Sequence, residues 1–233
     1  MKTILTAGLT EQNIPFTEKA VDTLCAYCAR LLDVNRTTNL TAIRDQVGAA
    51  RLHFLDSAAL LDLAEFDGKT VIDVGSGAGF PGVPIAVLAP TAQVTVIDSV
   101  GKKMDFVRTA CADCGIENVT AVWGRAEELT AQRESFDYAV CRAVADLAVL
   151  AELCLPLVKV GGMFLAMKSV DCQEELQCAN GAVRMLGGRV QDVVNYTIPG
   201  TDVTHAVIRI RKETATQPQY PRRYATIVKR PLK

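Results

Sequence analysis

Val71-Ile72-Asp73-Val74-Gly75-Ser76-Gly77-Ala78-Gly79-Phe80-Pro81-Gly82 is the stretch on which the reading of this chain turns. A short apolar run breaks into glycines, which allow a tight turn and let a ligand approach the backbone where a Cβ would collide. A helix over residues 81–88 follows, with proline in its first turn. Strand, glycine turn and helix in this order predict a ligand site at the carboxyl end of a strand in an open α/β sheet. The helix N-terminus, with its free N–H groups and dipole, favours a carboxylate or phosphate there.

The pattern continues outward from that turn. Further strands are expected at 94–98, 119–123, 138–141 and 162–167, with helices at 102–114, 147–157 and 174–186. Residues 190–198 and 203–211 read as a closing pair around Pro199-Gly200. Alternating β and α units imply a parallel sheet covered on both faces, with an antiparallel strand at one edge. Toward the N-terminus the pattern becomes helical. Thr17 is a candidate cap for a helix whose apolar face is Val21, Leu24, Cys25, Cys28, Leu31 and Leu32. A polar connection at 35–39 and a second helical stretch at 45–63 follow. The expected division is a helical unit at 1–66, an α/β core at 67–212 and a basic C-terminal segment at 213–233, packed on or near the active site.

Apolar residues make up 49% of the 233, enough for a sizeable core, and no run is long enough to span a bilayer. Residues 1–16 lack the pattern of a secretory signal, so a cytoplasmic protein is expected. Its eight cysteines are then reduced thiols. Cys25–Cys28 and Cys111–Cys114 have the spacing of a zinc site. Both pairs sit in apolar patterns of helical period, however, where cysteine behaves as a small hydrophobe, and no metal is expected. Net charge is only −1, yet residues 209–233 carry eight basic side chains against Glu213. Such a patch either attracts a polyanion or is a solvated tail.

Two cofactors compete for the glycine turn. Gly77-x-Gly79-x-x-Gly82 with Asp98 about 20 residues on satisfies a dinucleotide fingerprint, which points to an NAD-dependent oxidoreductase. The turn nevertheless begins earlier, as Asp73-x-Gly75-x-Gly77-x-Gly79. A carboxylate at Asp73 repels a pyrophosphate and attracts the ammonium of S-adenosylmethionine. The methyl donor is therefore favoured, with Asp73, Gly75, Ser76, Gly77, Gly79 and Phe80 forming its turn. Asp98 would accept from the ribose hydroxyls. Ala126 and Glu127, after the third strand, would flank the adenine, unless Glu127 is only a first-turn helix acid. A non-catalytic RNA-binding module that keeps the fold is the third possibility.

Several separated motifs together resemble one family. They are Asn39-Leu40-Thr41, His53-Phe54-Leu55-Asp56-Ser57, Asp73 through Pro84, and Asp98-Ser99 with Lys102-Lys103. Gly124-Arg125-Ala126-Glu127, Phe136-Asp137, Cys141-Arg142-Ala143-Val144-Ala145 and Tyr220-Pro221-Arg222 complete the set. The family is the bacterial small-subunit ribosomal RNA guanine-N7 methyltransferases, also called glucose-inhibited division protein B. Its members often have glycine where Ser169 stands and glutamate where Asp98 stands. The resemblance implies a class I, Rossmann-like methyltransferase fold with a mostly parallel seven-stranded sheet and a helical N-terminal cap. It also implies S-adenosylmethionine as cofactor, methylation of guanosine 527 of 16S rRNA, and a monomer acting on 16S rRNA or an assembling small subunit, not on DNA or a membrane.

Guanine N7 is an unprotonated acceptor, so its methylation needs alignment and charge tolerance but no general base. Arg142, ending the fourth strand, is the candidate catalytic residue. It could hold the methionine carboxylate, guanine O6 or a phosphate, or make a structural salt bridge. His53, Asp56 and Ser57 are candidates for positioning the RNA substrate or the helical cap itself, with a helix N-cap at Asp56 or Ser57 as the plainer reading. Lys168, Arg222, Arg223, Lys229 and Arg230 are the expected RNA contacts.

Overall fold

A computed structural model of the chain describes residues 1–142 and 145–233. Its centre is a seven-stranded sheet made of β1 (Thr70–Val74), β2 (Gln93–Asp98), β3 (Val119–Trp123), β4 (Phe136–Arg142), β5 (Val158–Ser169), β6 (Gly188–Thr197) and β7 (Thr204–Lys212). The order is β3-β2-β1-β4-β5-β7-β6, with β1 to β5 parallel and β7 antiparallel to both neighbours. The antiparallel strand is thus one place in from the edge, not at the edge as expected. The physical reason is connectivity: a crossover from β5 leaves β6 parallel to it, and a tight hairpin return can pair only antiparallel.

Helices α6 (Gly82–Leu88) and α7 (Gly101–Asp113) cover one face, and α8 (Leu147–Cys154) and α9 (Gln173–Met185) cover the other. On the first face a second helical layer is added: α1 (Lys2–Glu11), α2 (Glu18–Val34) and a broken helix over 46–63. The last consists of α3 (Gln46–Ala49), a π-helical turn (Ala50–Leu55), α4 (Asp56–Ala58) and α5 (Leu60–Leu63). Thr17 caps α2 by accepting from Ala20 N–H at 3.1 Å, as its side-chain type predicted. Asp45 caps α3 through Val47 and Gly48 N–H. Asp56 and Ser57 cap nothing, because the helix runs through them.

The α2 face reads as expected, with Tyr27 added to it: its ring is fully buried against Phe54, Phe80 and Phe106, and its hydroxyl donates to Ala78 O at 2.9 Å. This side chain fastens the helical layer to the glycine turn. Both C-x-x-C pairs lie in the same apolar region, where burial pushes the Cys28 thiol up to about 11 and the Cys111 thiol up to about 12. The chain ends in α10 (Tyr224–Lys229), whose Ile227 is buried in the core on the α8–α9 face. Among the described residues no helix is long and apolar enough to cross a membrane.

Candidate functional site

The carboxyl ends of β1, β2 and β3 open into a cavity of about 250 Å³. Val74, Gly75, Ile97, Asp98, Gly124, Ala126, Glu127 and Leu150 line it, together with Tyr224 from the C-terminal helix. Three predicted cofactor residues, Asp98, Ala126 and Glu127, thus meet Gly75 in one space. Asp98 also builds the site: Oδ2 accepts from Gly77 N–H at 3.0 Å and Oδ1 from Val100 N–H at 2.9 Å. Each oxygen keeps a second lone pair. Glu127 sits in the first turn of a short 3₁₀ helix, Ala126–Glu128, and also lines the cavity.

The expectation of free amides at the turn fails. Gly75 and Ser76 N–H both donate to Ile97 O, Gly77 N–H to Asp98, Gly79 and Phe80 N–H to Ser76 O, and Gly82 N–H to Asp73 Oδ2 at 2.7 Å. The turn folds back on the end of β2 and satisfies these donors itself, leaving the Ala78 N–H without a partner among the described residues. Gly77 (φ 59°) and Gly79 (φ 90°) take the left-handed backbone this requires. A Cβ at Gly82 would come within 2.9 Å of Asp73 Oδ2, so only glycine lets that amide reach the carboxylate.

Asp73 is fully buried, and burial pushes its carboxyl up to about 7 against the opposing pull of the Gly82 amide and Arg142. Its Oδ1 and the Ser76 hydroxyl are buried with no hydrogen-bond partner among the described residues. Phe80 lies elsewhere: it is buried beneath His53, stacked at 4.5 Å, and beneath the Arg142 guanidinium at 5.3 Å. Its predicted place against the cofactor is corrected to a packing role between the helical layer and the sheet, because its ring faces the helices.

Arg142 Nη1 donates to Asp56 Oδ2 at 2.9 Å and to Leu52 O at 3.0 Å, and Nη2 lies 3.0 Å from His53 Nδ1. Asp56 Oδ1 receives the Tyr196 hydroxyl at 2.7 Å and His205 Nδ1 at 2.8 Å. Burial alone would raise the Asp56 carboxyl, but His205, Arg142 and Tyr196 together hold it below the ordinary range. Bonding to Asp56 in turn raises His205. Burial and Arg142 lower His53 to about 3, so its imidazole is neutral. Nδ1 then accepts from Arg142, and Nε2–H donates to Thr41 Oγ1 at 2.7 Å. The guanidinium retains its Nε–H and one Nη2–H beyond these partners.

Asp56 and Ser57 are buried, and Ser57 Oγ donates to His53 O, so neither reaches a substrate: the expectation of RNA contact is corrected for both. Lys168 is corrected likewise, since its Nζ is held by Ala145 O and Glu175 Oε1. Arg222 donates through its backbone N–H, Nε and Nη2 to the fully buried carboxylate of Glu152 on α8. It therefore anchors the C-terminal segment and is not available to a phosphate. Arg223, Lys229 and Arg230 are exposed, with no ion pair among the described residues. Tyr224, next to the anchor, carries the Arg125 guanidinium 5.0 Å from its ring centroid. Ala143 and Val144 of the Arg142–Ala145 motif lie outside the described residues.

Sequence reasoning missed Glu152, His205, Tyr196 and Tyr224. Glu152 carried a signal, being the one acid in the otherwise apolar helix Leu147–Cys154. Tyr196 and His205 are directly opposite each other across β6 and β7, a pairing visible only once the hairpin register is known.

Residues 20–203 match the family model described as rRNA small subunit methyltransferase G. The ribosomal RNA small subunit methyltransferase G of Alkaliphilus metalliredigens is 41% identical over 236 residues, covering 100% of this chain and 99% of its own. That of Pelotomaculum thermopropionicum is 42% identical, covering 97% and 96%. Among solved structures, a SAM dependent methyltransferase from Aquifex aeolicus superposes with a TM-score of 0.55 at 16% identity, over 71% of this chain and 94% of that one. M. jannaschii TYW2 in complex with AdoMet superposes at 0.57 and 12% identity, over 73% and 79%. The fold is thus the class I, Rossmann-like methyltransferase fold, and with full-length relatives above 40% identity the chain belongs to the rRNA small subunit methyltransferase G family.

Proposed function

We propose that this chain transfers the methyl group of S-adenosylmethionine to N7 of a guanosine in small-subunit ribosomal RNA. One observation carries the choice of cofactor: the amides of Gly75, Ser76 and Gly77 donate inward, so among the described residues the turn keeps only the Ala78 amide free, too little to cradle a pyrophosphate. Two acids, Asp98 and Glu127, stand on the wall of the ligand space among apolar side chains, with Asp73 buried behind the turn, while the one cation of the lining, Arg125, lies over the Tyr224 ring. The unpartnered Asp73 Oδ1 and Ser76 Oγ suit hydrogen-bond donors of a cationic amino-acid moiety. Asp98 suits the ribose hydroxyls, and Ile97, Ala126 and Leu150 suit the adenine. When bound, the cofactor supplies an electrophilic methyl on a sulfonium.

The residues around Arg142 then have defined tasks. His53 has both ring nitrogens engaged and Asp56 both oxygens, so neither takes a proton, and N7 has none to give. Arg142 is fixed by them with two donors left over, directed by our reading at guanine O6 or a phosphate beside the methyl. Residues 1–66 act as a cap that positions Arg142, 67–212 as the methyltransferase core, and 213–233 as a segment folded beside the cofactor. Arg223, Lys229 and Arg230 supply phosphate contacts, which orient RNA without reading its bases.

The test is methyl transfer from labelled S-adenosylmethionine to 16S rRNA and to small ribosomal subunits from cells lacking this protein, with the modified base mapped. Calorimetry with S-adenosylhomocysteine and with NADH accompanies it. Binding of NADH alone ends this reading, and RNA binding without methyl transfer reduces the chain to an RNA-binding module.

A further inference from the structure

Trp123 is the only tryptophan of the chain and, at 70% exposure, its most exposed large hydrophobic side chain among the described residues. It ends β3, the edge strand, immediately before Gly124 of the cavity wall. An exposed indole is ordinarily free to turn, but this one is fixed. Its Nε1–H donates to Ser99 O at 3.2 Å. The place a Cβ would take at Gly101 lies 3.2, 3.3 and 3.5 Å from Cε2, Cδ2 and Nε1, over the face of the ring. The indole therefore lies flat on the first residue of α7, where a Cβ would be a tight fit, and turns its other face to solvent. Lys102 follows Gly101 and is exposed, and Lys103 reaches to the glycine turn, its Nζ 3.9 Å from the Cβ position of Gly77. Neither lysine has an ion pair among the described residues.

A rigid, open aromatic face beside uncompensated lysines is the chemistry of base stacking with phosphate neutralisation. We propose that Trp123 is a stacking platform for an unpaired base of the RNA substrate, at a nucleotide other than the one methylated. Three strand spacings, about 14 Å, separate β3 from the strand that carries Arg142, so one base cannot occupy both places. Trp123 is absent from the lining of the cofactor cavity, so the exposed face is left for the substrate. This inference rests on the RNA-methyltransferase reading and adds a substrate-positioning residue to it.

The single tryptophan makes the test direct. Full-length protein saturated with S-adenosylhomocysteine is titrated with short single-stranded RNA and with an abasic ribose-phosphate oligomer of equal length. Tryptophan emission and RNA anisotropy are read together. The expected result is quenching by the RNA and none by the abasic oligomer. W123A should raise KM for unmodified 16S rRNA about 5- to 150-fold, as removal of one stacked base does, with kcat unchanged. W123F should restore most of it. Emission unchanged at RNA saturation, equal quenching by the abasic oligomer, or an unaltered KM in W123A overturns the proposal. So does quenching by S-adenosylhomocysteine alone with no further change on RNA addition, which would place the ring on the cofactor. A W123A effect seen with ribosomal particles and not with naked rRNA would mean that the ring meets a protein. In each of these cases methyl transfer by the unaltered chain leaves the proposed function standing, whereas its absence removes both.

Discussion

Arg142 Nη1 lies 2.9 Å from Asp56 Oδ2, joining the end of the fourth strand to a helix 86 residues away in sequence. Asp56 is 1% exposed and Arg142 is 16% exposed, so the pair is shielded from water, and His205 and Tyr196 occupy the other carboxylate oxygen. Neutralising the acid leaves Arg142 without its counter-charge in a largely dry place. Asp56→Asn should lower stability by ~3 kcal/mol. For a chain of this size that is a fall in Tm of about 6–12 °C, checked by thermal unfolding. A Tm within two or three degrees of wild type would show that the pair is incidental.

Asp98 has two functions in one carboxylate, holding the Gly77 and Val100 amides and facing the cavity. Asp98→Ala should weaken S-adenosylhomocysteine binding by about 10- to 150-fold, the worth of a charge-assisted hydrogen bond. Calorimetry measures it, and an unchanged Kd removes the ribose role.

Cofactor affinity should depend on pH through Asp73. Burial raises its carboxyl to about 7 in the free protein, and a ligand ammonium needs the ionised form. Affinity therefore rises as pH increases through 7, by about tenfold between pH 6 and pH 8. Asp73→Asn should flatten the profile. The same shift has the opposite sign for the free fold. The unfolded carboxyl ionises first, so stability is lost as pH rises from about 4 to about 7. A pH-independent Kd in the wild type would count against an ammonium at Asp73.

Arg222 and Arg223 are adjacent and should behave differently. Arg222→Ala strands the fully buried Glu152, so it should lower Tm and loosen the segment that brings Tyr224 to the cofactor cavity. Arg223→Ala, Lys229→Ala and Arg230→Ala together should leave Tm near wild type. They should reduce the slope of log K for RNA against log salt by about 2, since each single-strand phosphate that is no longer neutralised lowers it by roughly 0.7. Equal salt slopes for the triple variant and wild type would exclude those three as phosphate ligands.

What the sequence determined by itself was local and periodic. The 71–82 stretch announced strand, glycine turn and helix, because glycine placement and apolar period are written directly in residue order. The β/α alternation, the Thr17 cap and the meeting of Asp98 with Ala126 and Glu127 followed from the same rules. The tertiary structure decided what depends on residues far apart in the chain. It placed β7 inside the sheet edge, which rests on the hairpin's return path. It drew Asp56 and Arg222, polar side chains that sequence reasoning assigned to RNA, into bonds with Arg142 and Glu152. Whether a charged side chain faces water or a buried opposite charge is set by what packs over it, and no local pattern records that.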